Sequence, residues 1–280
     1  AIKTAHEDVK FGFSIASGAA WEAALRVRSE AFLDLVGVHA HIGSQIFVAD
    51  GFDTSAQRLI GFLAQYRNEF GSELPELNLG GGYGIAYIES DNPISAQEML
   101  SRLHAIVARE CSQNNLAIPK VSIEPGRAIV GPTMVTLYEV GTTKVVKDGA
   151  GQVRNYISVD GGMSDNIRPG LYGAEYSILL ANRKSSAGAI DSRVVGKHCE
   201  TGDIVINDVK LPSDIRPGDI LAVPATGAYG RSMASNYNFL GRPPVVLLSD
   251  GTARTIVRRE NQADLLALDV EEAPRVIGEL

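Results

Sequence analysis

Apolar positions in the first half of the chain follow two alternating periods. The short runs Leu35–Ala40, Leu77–Leu79 and Val121–Ile123 read as buried strands. Between them the spacing lengthens to that of a helix. Asp53–Phe70 carries Leu59, Ile60, Leu63 and Tyr66 on one face, and Gly71 stands where a helix ends in a left-handed residue. Ser95 opens a further helix, with Glu98 three residues on as its capping-box partner and Met99, Leu103, Ile106 and Val107 as its apolar face. An earlier unit reads as a short strand over Val9–Phe13 and a helix through Ala19, Ala23 and Val27. Strand and helix in repeated alternation predict parallel βα architecture.

After Arg127 the pattern breaks into short strands separated by turn signals at Asp148-Gly149, Asp160-Gly161-Gly162, Thr201-Gly202-Asp203 and Pro217-Gly218-Asp219. This predicts an antiparallel β domain, a barrel or a sandwich, with a short helix over Tyr229–Ser235. The expected division is a partial (β/α) barrel over 1–129 and a β domain over 130–280. Four βα units do not close a barrel, which takes eight, and a half-barrel leaves an exposed strand edge. The first half is therefore either an open doubly wound sheet or the back half of a longer barrel. The start at Ala1, already domain-like, favours the second.

Composition narrows the function classes. With 45% hydrophobic and 21% charged residues the chain is globular. Its net charge of −7, without a basic stripe, argues against a nucleic-acid partner. No apolar run reaches membrane-spanning length, and the start carries no signal-peptide pattern. Two cysteines, Cys111 and Cys199, make no disulfide framework and fit a reducing cytoplasm.

Candidate chemistry collects where the predicted parallel strands end, as it does at a barrel mouth. His39-Ala40-His41-Ile42-Gly43-Ser44 follows one strand, Gly80-Gly81-Gly82-Tyr83-Gly84 another, and Glu124-Pro125-Gly126-Arg127 a third. Glycines there let backbone N–H groups approach a phosphate without interference from Cβ, although a tight turn alone accounts for them equally. The two histidines could begin a zinc site, but no third and fourth ligand stands at a suitable spacing; a hydrogen-bonded core histidine is the plainer account. Glu124 and Arg127 could be no more than a surface ion pair. In the second half, Arg168 and Tyr172, four apart, could clamp a carboxylate, or the segment Asp160–Pro169 could be a solvated loop. Cys199, beside Glu200 and Asp203, is not activated as a nucleophile by those charges and suits a proton donor better, if it is not simply inert. Tyr229, after Thr226-Gly227, could open a helix whose N-terminus binds an anion, or merely pack.

In this order, H-I-G-S, L-N-L-G-G-G-Y-G-I, E-P-G-R, V-D-G-G-M-S-D-N-I-R-P, C-E-T-G-D and G-A-Y resemble the diaminopimelate decarboxylases, a branch of the fold-type III pyridoxal-phosphate decarboxylases. The resemblance covers nearly the whole chain. It implies an eight-stranded βα barrel with a C-terminal β domain, a homodimer with shared active sites, and pyridoxal 5′-phosphate as cofactor. It also implies release of CO2 from meso-2,6-diaminopimelate to form L-lysine. Carried over, His41 stacks on the pyridine face and Ser44 lies near the phosphate. Gly81, Gly82, Gly126, Arg127 and Tyr229 hold the phosphate, and Glu124 pairs with the pyridine nitrogen. Arg127, Arg168, Tyr172 and Tyr229 take the substrate. Cys199 and Glu200 come from the partner subunit, the thiol as proton donor and the carboxylate on the distal ammonium. The sequence departs from the family in three places. The family's Schiff-base lysine lies in an N-terminal Y-A-x-K-A-type segment, and Lys3, Lys10, Lys120, Lys144, Lys147, Lys184, Lys197 and Lys210 all sit in other contexts. Thr201 stands where the family often has Ser, keeping the hydroxyl, and Leu240–Pro244 is unusual. The rival expectations are an ornithine- or arginine-type decarboxylase and a non-catalytic homologue or fragment.

Overall fold

The computed structural model describes residues 2–3, 10–147 and 149–270. The chain divides into two units, residues 1–134 and 135–280.

The first unit is built on a three-stranded parallel sheet, β2 (Gly37–His39), β4 (Glu76–Asn78) and β5 (Lys120–Ser122), in the order β2-β4-β5. Helix α1 (Ala19–Ser29) precedes the sheet, α2 (Asp50–Phe70) joins β2 to β4, and α3 (Ala96–Gln113) joins β4 to β5. The strands are as apolar as the sequence requires: Leu77 and Leu79 are fully buried, under Phe52, Ile60 and Leu63 of α2 and Leu103 and Val107 of α3. The helix ends follow their local chemistry. Gly71 adopts φ 68° and its N–H donates to Arg67 O, the left-handed stop that glycine allows without a Cβ penalty. Ser95 accepts from the Glu98 N–H at 3.1 Å. The reciprocal half of the expected capping box is not made, because the Glu98 carboxylate takes Arg102 one turn on. A two-residue strand, β1 (Ile2–Lys3), pairs antiparallel with β3 (Gly43–Ser44). The strand expected over Val9–Phe13 begins outside the described residues. Lys10–Phe13 form bends and irregular chain, with Phe11 and Phe13 exposed.

In-register pairing sets the working end of this unit. His39 aligns with Asn78 and Asn78 with Ser122. The last residues of three parallel strands therefore share one edge, and the segments that follow them start side by side.

The second unit centres on a six-stranded sheet in the order β10-β9-β7-β6-β11-β8. Its strands are β6 (Val135–Lys147), β7 (Val153–Val159), β8 (Leu179–Leu180), β9 (Ala189–Val195), β10 (Ile204–Pro212) and β11 (Ile220–Pro224). The long β6 serves two partners: Val135–Glu139 pairs with β11, and Val140–Lys147 with β7, with a register shift at Gly141. The expectation of a purely antiparallel domain is corrected at one ladder, since β7 and β9 run parallel. Residues 160–188, which hold the short helix α5 (Arg168–Tyr172), supply the long crossover that a parallel pair needs. The hairpin β12 (Val245–Ser249) to β13 (Thr252–Val257) turns through Asp250 and Gly251, both with positive φ. One further turn of helix, α6 (Gln262–Leu265), is closed by a capping box from Asn261. Two sequence expectations change here. Asp148 of the Asp148-Gly149 turn lies outside the described residues. The helix expected over Tyr229–Ser235 is a single 3-10 turn, Arg231–Met233, because Tyr229 takes a left-handed φ of 60° that no α-helix accommodates.

Candidate active site

Three chain segments leave the C-terminal ends of β2, β4 and β5 and are packed backbone against backbone. Glycine makes this possible. A Cβ on Gly80 would lie 2.3 Å from Ala40 O, one on Gly81 2.5 Å from Glu124 O, and one on Gly82 2.4 Å from Gly43 O. Gly80 and Gly82 also adopt φ of 70° and 104°, which L side chains rarely tolerate. The glycine run thus wedges between the segments holding His41, Ser44 and Glu124. Two backbone hydrogen bonds seal it: Glu124 N–H donates to Gly80 O at 2.9 Å, and Ile46 N–H to Gly82 O at 2.9 Å. Gly82→Ala is expected to cost about 2–4 kcal/mol from strain and the clash with Gly43 O. Thermal unfolding checks this; an unchanged midpoint would mean that the segment relaxes without effort.

Around this wedge the sequence-predicted residues come together. Arg127, in the short helix α4 (Gly126–Val130), donates from Nη2 to Ser44 Oγ at 2.8 Å and from Nη1 to the Tyr87 hydroxyl at 2.6 Å. Gly126 opens that helix, and nothing lies within 4 Å of where its Cβ would stand. His41 Nδ1 accepts from the Gly81 N–H at 3.3 Å. That N–H is therefore engaged within the protein. Glu124, with its side chain about half exposed, accepts from Asn78 Nδ2 at 2.8 Å and has His39 Nε2 at 3.6 Å. The two histidines thus serve different neighbours. Tyr83 stacks on Phe52 with ring centroids 4.9 Å apart. Its buried hydroxyl has no hydrogen-bond partner among the described residues, and burial, helped by the Glu124 charge, pushes its pKa up to about 12.

The mouth therefore offers a guanidinium and a hydroxyl at one place, open space beside Gly126, and a carboxylate on the far side of the glycine wedge. This donor set suits a phosphate at the arginine end and a protonated ring nitrogen at the acid end. The described lysines of this unit serve elsewhere. Lys120 begins β5, at the strand end opposite the mouth, and pairs with Glu76; the Lys10 ammonium lies over the Phe11 ring.

In the second unit, the segment Asp160–Pro169 is no solvated loop. Ser164, Asn166 and Arg168 are buried. Asp203 is the reason: its carboxylate accepts the N–H groups of Met163 at 2.6 Å and His198 at 2.8 Å, tying the D-G-G-M-S-D-N and C-E-T-G-D motifs together. Gly162 and Gly196 are required beside it, since a Cβ on either would meet the carboxylate at 2.2–2.5 Å. His198 Nε2 lies 2.9 Å from Ser164 Oγ. Asp165 accepts from Gly162 N–H, yet burial still raises its pKa. Arg168 donates to the Tyr176 hydroxyl, and its guanidinium also lies 5.9 Å from the Tyr229 ring centre. Tyr172, at the other end of α5, is exposed. Cys199 and Glu200 are exposed as well. Tyr237 donates its hydroxyl to Glu200 Oε1 at 2.5 Å, and this bond is the first cause of its raised pKa.

Sequence reasoning missed Asn78, Tyr87, Tyr176 and Tyr237. Asn78 stood inside the glycine-run motif, where a polar residue between two buried leucines was a usable signal. The tyrosines act through contacts distant along the chain, and no local pattern announced them.

A family profile described as "Pyridoxal-dependent decarboxylase, pyridoxal binding domain" matches residues 1–131. The chain is 53% identical over 273 residues to the diaminopimelate decarboxylase of Mycobacterium tuberculosis, covering 96% of this chain and 61% of that protein. It is 44% identical over 269 residues to the Bacillus subtilis diaminopimelate decarboxylase, covering 96% of this chain and 60% of the relative. Among solved structures, the diaminopimelate decarboxylase from M. jannaschii in complex with L-lysine superposes with a TM-score of 0.86 at 31% identity, covering 95% of this chain and 59% of that one. The chain thus spans about three-fifths of the length of the relatives it matches. No helix among the described residues is long and apolar enough to cross a membrane.

Proposed function

Because the chain belongs to the fold-type III pyridoxal-phosphate decarboxylases, a family built on a βα barrel followed by a β domain, we propose that it serves diaminopimelate decarboxylation, with meso-2,6-diaminopimelate as substrate and L-lysine and CO2 as products. The observation that carries the reading is the bond from Arg127 to Ser44 across the mouth, with Glu124 on the other side of the glycine wedge. Pyridoxal 5′-phosphate, when bound, supplies a ring that takes up the electron pair left on the α-carbon as CO2 departs.

The chain's own residues do the rest. Arg127 and Ser44 grip the phosphate, joined by Gly81, Gly82, Gly126 and Tyr229. Glu124 holds a proton at the pyridine nitrogen, keeping the ring cationic. His41 packs on the pyridine face. Arg127, Arg168, Tyr172 and Tyr229 orient the substrate, and Glu200 takes its distal ammonium. Cys199 returns a proton to the carbon that has lost CO2. In this reading Cys199 and Glu200 complete the site of a second copy in a cytoplasmic homodimer, and the family's covalent lysine belongs to a segment outside this sequence.

Release of CO2 from carboxyl-labelled amino acids tests the proposal. The expected result is turnover of meso-diaminopimelate and not of ornithine or arginine. Preference for ornithine or arginine would transfer the protein to the neighbouring branch, and release from none of them, with cofactor bound, would favour the non-catalytic homologue.

A further inference from the structure

We infer that Asn78 is a positioning residue that aims the Glu124 carboxylate at its ligand; the inference rests on the proposed cofactor reading and deepens it. Asn78 is the last residue of β4, in register with His39 on one side and Ser122 on the other. Its carboxamide makes two bonds at once. Oδ1 accepts from the Gly80 N–H at 2.8 Å, and Nδ2 donates to Glu124 Oε1 at 2.8 Å. A backbone N–H can only donate, so the first bond fixes which end of the amide is oxygen. The nitrogen is therefore committed to Glu124.

Gly80 completes the device. Its carbonyl accepts the Glu124 N–H, so one residue anchors both the main chain of the acid and the side chain that holds its carboxylate. Gly80 cannot drift, since it sits at φ 70° with Ala40 O where a Cβ would be. Glu124 is half exposed and would otherwise sample several rotamers. With Oε1 held by a neutral donor, Oε2 is the oxygen presented outward. A cationic ring nitrogen would meet an acid already oriented, which lowers the ordering cost of binding. Asparagine is suited to this position. Aspartate would keep the Gly80 bond but set a second carboxylate against Glu124, and alanine would lose both bonds.

The test compares two probes by equilibrium dialysis: pyridoxal 5′-phosphate and its analogue with C–H in place of the ring nitrogen. The unaltered protein should bind the natural cofactor more tightly than the analogue. Asn78→Asp should weaken pyridoxal 5′-phosphate roughly tenfold, the scale of one hydrogen bond to a charged group, and leave the analogue within about twofold. Asn78→Ala, which adds no charge, should show the same selectivity with a smaller loss. In a Glu124→Gln background, Asn78→Asp should change pyridoxal 5′-phosphate affinity no further. Equal weakening of both probes, or of neither, would overturn the positioning role and leave Asn78 a turn residue. Failure of the unaltered protein to bind either probe would instead remove the cofactor reading itself.

Discussion

Arg127→Ala is expected to weaken pyridoxal 5′-phosphate binding by at least about a hundredfold. Each charge-assisted hydrogen bond from a guanidinium to a phosphate contributes about 1.5–3 kcal/mol, and a forked contact makes two. About 3 kcal/mol is already two powers of ten in affinity. Arg127 is held ready for that contact. Ser44 Oγ and the Tyr87 hydroxyl fix its two Nη atoms, and its guanidinium lies 5.7 Å from the Tyr87 ring centre. Arg127→Lys keeps the charge and loses the fork, so an intermediate loss is expected. Equilibrium dialysis reads the affinity, and thermal unfolding separates it from damage to the fold. Unchanged cofactor affinity in a folded Arg127→Ala protein would show that the phosphate is held elsewhere.

The largest effect on stability is expected from Asp203→Ala. The Asp203 carboxylate is almost fully buried and accepts two backbone N–H groups, from Met163 and His198. Removing it leaves both donors without a partner and opens a void against Gly162 and Gly196. An orphaned buried donor costs about 1–3 kcal/mol, so the total is about 3–5 kcal/mol. For a protein of this size that lowers the unfolding midpoint by about 10 °C. Calorimetry checks it, and a fall of less than about 2 °C would mean that water or a neighbouring group satisfies both donors. The effect reaches chemistry as well as stability. His198 precedes Cys199 and Glu200, so loosening its backbone releases the two exposed residues assigned to proton delivery and ammonium recognition. Asp203→Asn keeps one acceptor and should lose about half as much.

Much of the architecture was legible because its signals are local. Leu77 and Leu79 had to be covered, and Leu59, Ile60 and Leu63 on one helix and Leu103 and Val107 on another were spaced to cover them. Gly71 and Ser95 marked helix ends through backbone chemistry that needs no distant partner. The strand-end positions of His41, Ser44, Gly82, Glu124 and Arg127 followed from the same reading, since parallel strands joined by helices all deliver their C-terminal ends to one edge.

What the chain could not announce was which distant groups would meet. The parallel ladder between β7 and β9, and the change of partner along β6 at Gly141, are choices among edges with equivalent hydrogen bonds, decided by how residues 160–188 cross over. The 3-10 turn after Tyr229 replaced a helix because packing holds that tyrosine in a left-handed conformation. Asp203 read as one acid in a turn, and only the folded chain brings Met163 and His198 to it. Sequence alone thus determined the alternation of elements, the glycine wedge and the residues gathered at the mouth, because period, turn and close approach are properties of short segments. Tertiary structure decided which hydrogen-bond donor faces which acceptor across distant parts of the chain, because a buried polar group binds whatever the fold places within about 3 Å of it.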